Sequence, residues 1–285
     1  MNDLVRLGSY PIIFGITAFA QLLLIEAGIS HWPYAILVAG AGMSAVAILE
    51  RVLPYEPSWN LDHEDTLPDI LHATFSLGFI FASVEIAEII RVLVPFSKVW
   101  PNTLPLWAQV FVAGLIIDFG LWLMHWLSHK NDYLWKLHAL HHSAERLYWL
   151  NGERRHPLSA LLLAGPGTLL AIFLGAPAEV VGCWYTIIAV HLAFQHSNLD
   201  YTVGPLRNIL GVAEIHRWHH KKEYEDSQVN FGEFWMIWDQ LFRTFHHTVN
   251  GVKKGEVGMR EKMPTTYLKQ IAWPFRRTTS VKKHG

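Results

Sequence analysis

Residues 121–145, LWLMHWLSHKNDYLWKLHALHHSAE, carry an apolar run into five histidines spaced H-x-x-x-H and H-x-x-H-H, and residues 214–222, EIHRWHHKK, repeat the second arrangement. On a helix, side chains three and four apart share a face. His125 therefore points with His129, His138 with His141 and His142, and His216 with His219 and His220. Protonated, such clusters would repel one another; buried and neutral, they would compete for hydrogen-bond partners. Neutral imidazole is also a common metal ligand that suits iron, copper, zinc and nickel. Eight imidazoles in three clusters exceed the four ligands of an ordinary zinc site, so the pattern asks for two metal ions. His31, His63 and His284 have no partner at useful spacing and read as ordinary core or interface histidines.

The elements that must position these clusters are apolar. Of 285 residues, 51% are hydrophobic and 16% charged, against about a quarter charged in soluble domains. Mean hydropathy is +0.20, and thirteen tryptophans accompany it. This is the composition of a membrane protein with a substantial polar portion. A net charge of −1 argues against a nucleic-acid partner, which needs a basic surface. The single cysteine, Cys183, excludes an intramolecular disulfide and any cysteine-ligated zinc or iron–sulfur site. A redox partner must then be another protein. The glycines are scattered through apolar segments, where helix packing explains them, and form no phosphate loop, dinucleotide fingerprint or nucleophile elbow.

Read in order, MNDLVRLGSYP does not look like a cleaved signal, and the apolar run after it to Ile29 reads as a first transmembrane helix that tolerates Glu26. Trp32 and Tyr34 sit at a turn like interfacial anchors. Residues 34–49 form a charge-free second span, and LPYEPSWNLDHEDTLPD a polar loop. Residues 70–94 are long enough to cross but carry His72, Glu85, Glu88 and Arg91; ionisable residues in a span face the bundle interior or lie near an interface, and Glu88 and Arg91 are spaced to pair. A fourth span begins at Leu106. Asp118, Trp122, His125 and His129 fall on one stripe of it, so the Asp118 carboxylate is placed to orient a ligating imidazole. Residues 158–174 and 180–194 are apolar again and are joined by Gly175, Ala176 and Pro177, a hairpin turn.

Lysines and arginines gather at Lys130, Lys136, Arg146, Arg154, Arg155, Lys221, Lys222 and through the tail to Lys283. The positive-inside rule puts the histidine face, Arg6, Arg51 and both termini in the cytoplasm. The expected fold is all-α, an integral membrane helical bundle with a cytosolic histidine-rich helical cap. It has four spans if the 158–194 hairpin is re-entrant and six if it crosses. Its parts are an N-terminal transmembrane region (1–117), a catalytic region containing the hairpin (118–246) and a basic cytosolic tail (247–285), in a bacterial inner membrane or endoplasmic reticulum.

MHWLSH, KLHALHHSAERL, ERRHP, HLAFQHSN and EIHRWHH together resemble the histidine-box series of the fatty acid hydroxylase superfamily, also called the sterol desaturase family. Sterol oxidases and desaturases, sphingolipid fatty acid hydroxylases and alkylglycerol monooxygenase belong to it. The likeness covers residues 118–245 and closes in WDQLFRTF, similar to the family's W-D-x-x-F-G-T segment with Arg243 in place of the glycine. The resemblance implies two iron ions that use O2 and two electrons on an unactivated C–H bond. It implies ligands at His125, His129, His138, His141, His142, His196, His216, His219 and His220. Two further members are His191, five residues before His196 and so off its helical face, and His156, which would ligate, touch a substrate head group or donate a proton.

Around these, Glu145 and Asp239 are candidates for orienting acceptors or a proton relay against plain surface or capping roles, and Asn198 for completing a coordination sphere. The expected activity is O2-dependent hydroxylation of a membrane lipid such as a sterol or fatty acyl chain. The nine-residue interval between the first two boxes resembles the hydroxylase branch. Desaturation by the same centre, a zinc or di-metal lipid hydrolase, and a non-catalytic membrane factor are the alternatives. The electron donor would be an external cytochrome b5-, ferredoxin- or rubredoxin-like protein with its reductase.

Overall fold

A computed structural model describes residues 2–29, 31–93, 99–248 and 250–276. Every regular element among them is helical, and the β-contacts are isolated bridges. The helices are α1 (Asn2–Glu26), α2 (His31–Val52), α3 (Thr66–Leu93), α4 (Leu106–Lys130), α5 (Asp132–His142), α6 (Pro157–Phe173), α7 (Ala178–His196), α8 (Ala213–His219), α9 (Ile237–Leu241) and α10 (Tyr267–Ala272). The chain is therefore a membrane helical bundle: α1, α2, α4 and α7 are each long and apolar enough to cross a bilayer. The most apolar 18-residue window of α1 is 22% buried by protein and that of α7 is 83%, so α7 is the axis around which α1, α2, α4 and α6 pack. Leu4, Leu7, Ile12, Ile16 and Phe19 of α1 and Leu37 and Ile48 of α2 face outward, a lipid-facing surface on which water would be unfavourable. The paired Glu88 and Arg91 of the sequence reading lie outside what is described, because the Glu88 side chain is not among the described atoms.

The hairpin between α6 and α7 forms as the residues demand: Gly175 turns with φ +99° and Pro177 caps α7. α6 has 17 residues, about 26 Å of rise, somewhat short of a ~30 Å hydrocarbon core. Its contact with α4 is backbone on backbone. A Cβ on Gly120 would come within 2.6 Å of Gly167 Cα, and one on Gly167 within 2.6 Å of the Ile117 carbonyl. Neither approach is to a flexible side chain that can move away. Gly120→Ala is accordingly expected to cost about 1–3 kcal/mol, read as a lower unfolding midpoint in detergent micelles; an unchanged midpoint would mean that α4 and α6 separate freely.

Where α4 leaves the apolar layer the chain turns sharply, because the Asn131 side chain caps α5 by accepting from the Tyr133 and Leu134 amides at 3.0 and 3.2 Å. Only Asn131 thereby separates α4 from α5, which keeps its histidines beside those of α4. Later chain closes over this junction. Trp59, Leu147, Val252 and Val257 form one small core, and Trp135, Ala139 and Trp273 another, so part of the stretch after residue 247 packs on the cap. Gln270 Oε1 accepts from His72 Nε2 at 2.8 Å.

Candidate metal centre

Nine buried histidines meet at the end of the bundle, carried by four elements: α4 (His125, His129), α5 (His138, His141, His142), the last residue of α7 (His196) and α8 with its C-cap (His216, His219, His220). They divide into two groups, His125, His129, His138, His142 and His219, and His141, His196, His216 and His220, and within each group the candidate ligand atoms lie within 4.8 Å of one another. Neither H-x-x-H-H box serves one group alone. A helix turns about 100° per residue, so residues i and i+4 diverge by about 40° while i+3 lies about 60° to the other side. His138 and His142 thus go one way and His141 the other; His216 and His220 go one way and His219 the other. The groups touch, with the His142 and His220 rings stacked at 4.7 Å between centroids.

The donors fit metal. In the second group, Nε2 of His196 lies 3.0 Å from Nε2 of His216 and 3.3 Å from that of His141, and His216 and His220 meet Nε2 to Nε2 at 3.1 Å. His196 Nδ1 faces the Leu192 carbonyl at 3.1 Å, so it carries the proton and Nε2 presents a lone pair. His216 Nε2 cannot both donate to His196 and accept from His220. Hydrogen bonding alone therefore leaves a contact between lone pairs, which a cation removes. In the first group, His125 Nδ1 donates to the Phe231 carbonyl and His219 Nδ1 to that of Val229, both at 2.8 Å, leaving each Nε2 buried without a hydrogen bond. This is the tautomer that a ligating imidazole needs. Burial, reinforced by neighbouring imidazoles, pushes His138, His141, His142, His216 and His220 well below the usual histidine range, and burial pushes His219 to about 4. All six are neutral and available as ligands near pH 7.

A loop that sequence reasoning missed sets these orientations. Residues 229–235 supply the accepting carbonyls and are pinned from four sides. Asp239 accepts from the Phe231 and Gly232 amides at 2.9 and 2.7 Å and from Thr244 Oγ1 at 2.5 Å. Asp118 accepts from the Phe234 and Trp235 amides and Trp238 Nε1 at 2.9, 3.1 and 3.0 Å. Gln195 donates to the Gly232 and Glu233 carbonyls, and Asn230 to those of Ile215 and His246. Asp118 thus does not bond an imidazole, as its stripe position suggested; it holds the backbone that does. Asp118→Ala is expected to weaken metal binding about tenfold or more, measured by chelator competition, and unchanged affinity would remove it from the site.

Other candidates lie elsewhere. His191 is in neither group: Nε2 meets the Gly211 carbonyl at 3.1 Å and Nδ1 the Tyr10 hydroxyl at 2.8 Å, so both ring nitrogens are spent. His156 caps α6, accepting from the Leu158 amide at 3.2 Å, while Nε2 faces the Ile271 carbonyl. Asn198 uses its whole amide on Glu56 and Asn60, fastening the 54–60 loop instead of reaching the histidines. Glu145 is exposed. In its place stands Glu233, 1% exposed, whose Oε1 lies 3.5 Å from His125 Nδ1 and whose Oε2 accepts from Arg155 Nη2 at 2.9 Å. No spacing rule points to it, because its partners come from α4 and from the ERRHP segment. Glu153, Arg155 and Glu233 border a mostly apolar cavity of about 180 Å³ among α2, α3, α4, α6 and α7, which Tyr185 and Thr186 also line. Burial moves the Glu153 carboxyl above the usual range against the pull of Arg155, and Glu233 and Glu153 raise Arg155 in spite of its burial.

The sequence profile of the fatty acid hydroxylase family matches residues 110–244, a span that contains both histidine groups and the loop that orients them. An ornithine lipid hydroxylase of Rhizobium tropici is 33% identical over 249 residues, 82% of this chain and 73% of that protein. The chain belongs to the fatty acid hydroxylase family. It is also similar to alkylglycerol monooxygenases, 27% identical over 64% of the chain for the Caenorhabditis elegans protein and 25% over 70% for the human one. It spans only 36% and 44% of their lengths. No solved structure matches. In this chain Arg243, which replaces the glycine of the closing segment, adopts φ +60°, a left-handed conformation that costs a side-chain-bearing residue about 1–2 kcal/mol. Arg243→Gly should recover about 1 kcal/mol in denaturant unfolding; a loss of stability would show that the side chain earns its place by other contacts.

Proposed function

We propose that this member of the fatty acid hydroxylase family is a membrane-bound, non-haem di-iron enzyme that hydroxylates a membrane lipid. The observation that carries the reading is the division of nine buried imidazoles into two touching groups whose candidate ligand atoms converge. One iron would be held by His125, His129, His138, His142 and His219, the other by His141, His196, His216 and His220. All-nitrogen, cysteine-free surroundings suit iron that must bind O2. When bound, the pair of irons would supply the activation of O2 with two external electrons and two protons from solvent, one oxygen atom entering a C–H bond and the other leaving as water.

The protein's own part is to hold and to exclude. The carbonyls of Phe231, Val229 and Leu192 fix the imidazole tautomers, and Asp118 and Asp239 fix the loop that offers two of them. The apolar cavity beside Glu233 admits the substrate from the bilayer and keeps water from the reaction. The reaction class agrees with the relatives, which are named hydroxylases and monooxygenases. Lys130, Lys136, Lys221 and Lys222 give the cap its cytoplasmic orientation under the positive-inside rule; Arg146, Arg154 and Arg155 are buried in ion pairs. Residues 1–117 anchor, residues 118–246 carry catalysis, and a small soluble electron-transfer protein delivers electrons to the cap. Comparative lipidomics of cells with and without the protein tests the reading: a lipid that gains one oxygen atom only when the protein is present supports it, and an unchanged lipid profile, or the appearance of hydrolysed lipid, defeats it.

A further inference from the structure

The cavity beside the histidines has walls and an end of opposite character. Ala39, Met43, Leu163 and Ile188 line it, whereas Glu153, Arg155 and Glu233 close it. These three are 3%, 5% and 1% exposed. Arg155 is partly committed: Nη2 donates to Glu233 Oε2 at 2.9 Å and Nε to the Gly152 carbonyl at 2.8 Å. Two acceptors are left over. Glu233 Oε1 is buried without a hydrogen bond, and the Glu153 carboxylate makes none among the described residues. The trio holds two carboxylates against one guanidinium, and an unpaired buried carboxylate is expensive. A cation with hydrogen-bond donors would complete it and hold both carboxylates in their charged form.

The walls choose the kind of cation. A hard metal ion would seek several oxygens and water, and the rest of the cavity offers it mostly hydrocarbon. A primary ammonium brings three N–H donors, and an alkyl chain attached to it would bury against those walls. We propose that this cavity seats the head of a membrane lipid bearing a primary ammonium group, with Glu153 and the free oxygen of Glu233 accepting its N–H bonds. Glu153 is then the residue that selects amine-bearing lipids. Glu233 Oε1 lies 3.5 Å from His125 Nδ1, so the head group sits one imidazole ring from the first histidine group. The proposal rests on the lipid-hydroxylase reading and deepens it.

A binding assay that needs no turnover tests it. Dodecylammonium and 1-dodecanol, each with a diazirine in the chain, are photolysed with the full-length protein in phosphatidylcholine nanodiscs, and labelled peptides from α2, α6 and α7 are quantified. The ammonium form should label these peptides about tenfold more than the alcohol, as a charge-assisted hydrogen bond implies. Glu153→Gln should bring the two to near parity at an unchanged melting temperature. Equal labelling of the wild-type protein, or a preference that survives Glu153→Gln, overturns the proposal; the wild-type ratio decides even if the variant does not fold. Methylammonium should not compete at concentrations where dodecylammonium does, and equal competition would reduce the seat to a small-cation site and defeat the lipid assignment. Selective labelling in a protein that never oxygenates lipid would refute the proposed function and leave the seat standing, whereas oxygenation with equal labelling does the reverse.

Discussion

His219→Ala and His220→Ala, adjacent in sequence, are expected to strip different ions. His219 closes the group of His125, His129, His138 and His142, and His220 the group of His141, His196 and His216. Each single variant should retain about one iron per chain and lose activity by more than about a hundredfold, since loss of an outer partner of a ligand already costs ten- to a hundredfold. The double variants separate this arrangement from one in which each box serves its own ion. His138→Ala with His219→Ala, distant in sequence but in one group, should keep the second iron. His219→Ala with His220→Ala should keep none. Iron counted by mass spectrometry on purified protein reads the outcome, and the opposite ranking of the two double variants would mean that the groups are divided wrongly.

Arg154→Ala is expected to produce the largest loss of stability, about 3–5 kcal/mol, the usual cost of leaving one member of a buried ion pair behind. Arg154 pairs with Asp69, and the two side chains are 4% and 0% exposed. The guanidinium also donates to the Leu140 carbonyl and to Ser143 Oγ at 3.2 and 3.1 Å, so it ties the histidine-bearing end of α5 to the start of α3. Tyr148 and Asn151 donate to the other Asp69 oxygen at 2.8 and 3.1 Å, which leaves the carboxylate too well anchored to swing away. Denaturant unfolding in micelles measures the loss. Adding Asp69→Asn should restore part of it by removing the stranded charge, and a single-variant cost below about 1 kcal/mol would show that Asp69 finds water or another partner.

The helices and the histidines were legible because both are written locally. Apolar runs of bilayer length mark spans, and i, i+3 and i+4 spacings mark a shared face. The division of each box between two groups was legible in principle, from the sense in which a helix turns. What spacing could not reveal was the partner of each polar side chain. Asp118 stands on the histidine stripe, yet its oxygens are taken by amides more than a hundred residues later, at Phe234 and Trp235. The acceptors for His125 and His219 are backbone carbonyls, which have no sequence signature. Asn198 follows a histidine of the cluster, but Ser197 leaves the helix in an extended conformation, φ −59° and ψ 150°, and the amide turns to the 54–60 loop. Arg146, Arg154 and Arg155 look like exposed cytosolic charge in the sequence; they are 1%, 3% and 5% exposed because Asp65, Asp69 and Glu233 come to meet them. Glu233 itself shows no pattern at all, since its role depends on Arg155 and His125 arriving from other elements.

The central claim is that the two histidine groups use molecular oxygen on a lipid C–H bond. Its most direct test is the origin of the oxygen atom. Purified protein loaded with iron, embedded in membranes of the host lipids and supplied with reductant under oxygen-18 gas, should yield a lipid carrying one labelled oxygen in each product molecule, with none transferred from labelled water under ordinary oxygen. A product whose new oxygen comes from water, or no oxygenated lipid from protein that holds both irons and consumes reductant, would contradict it.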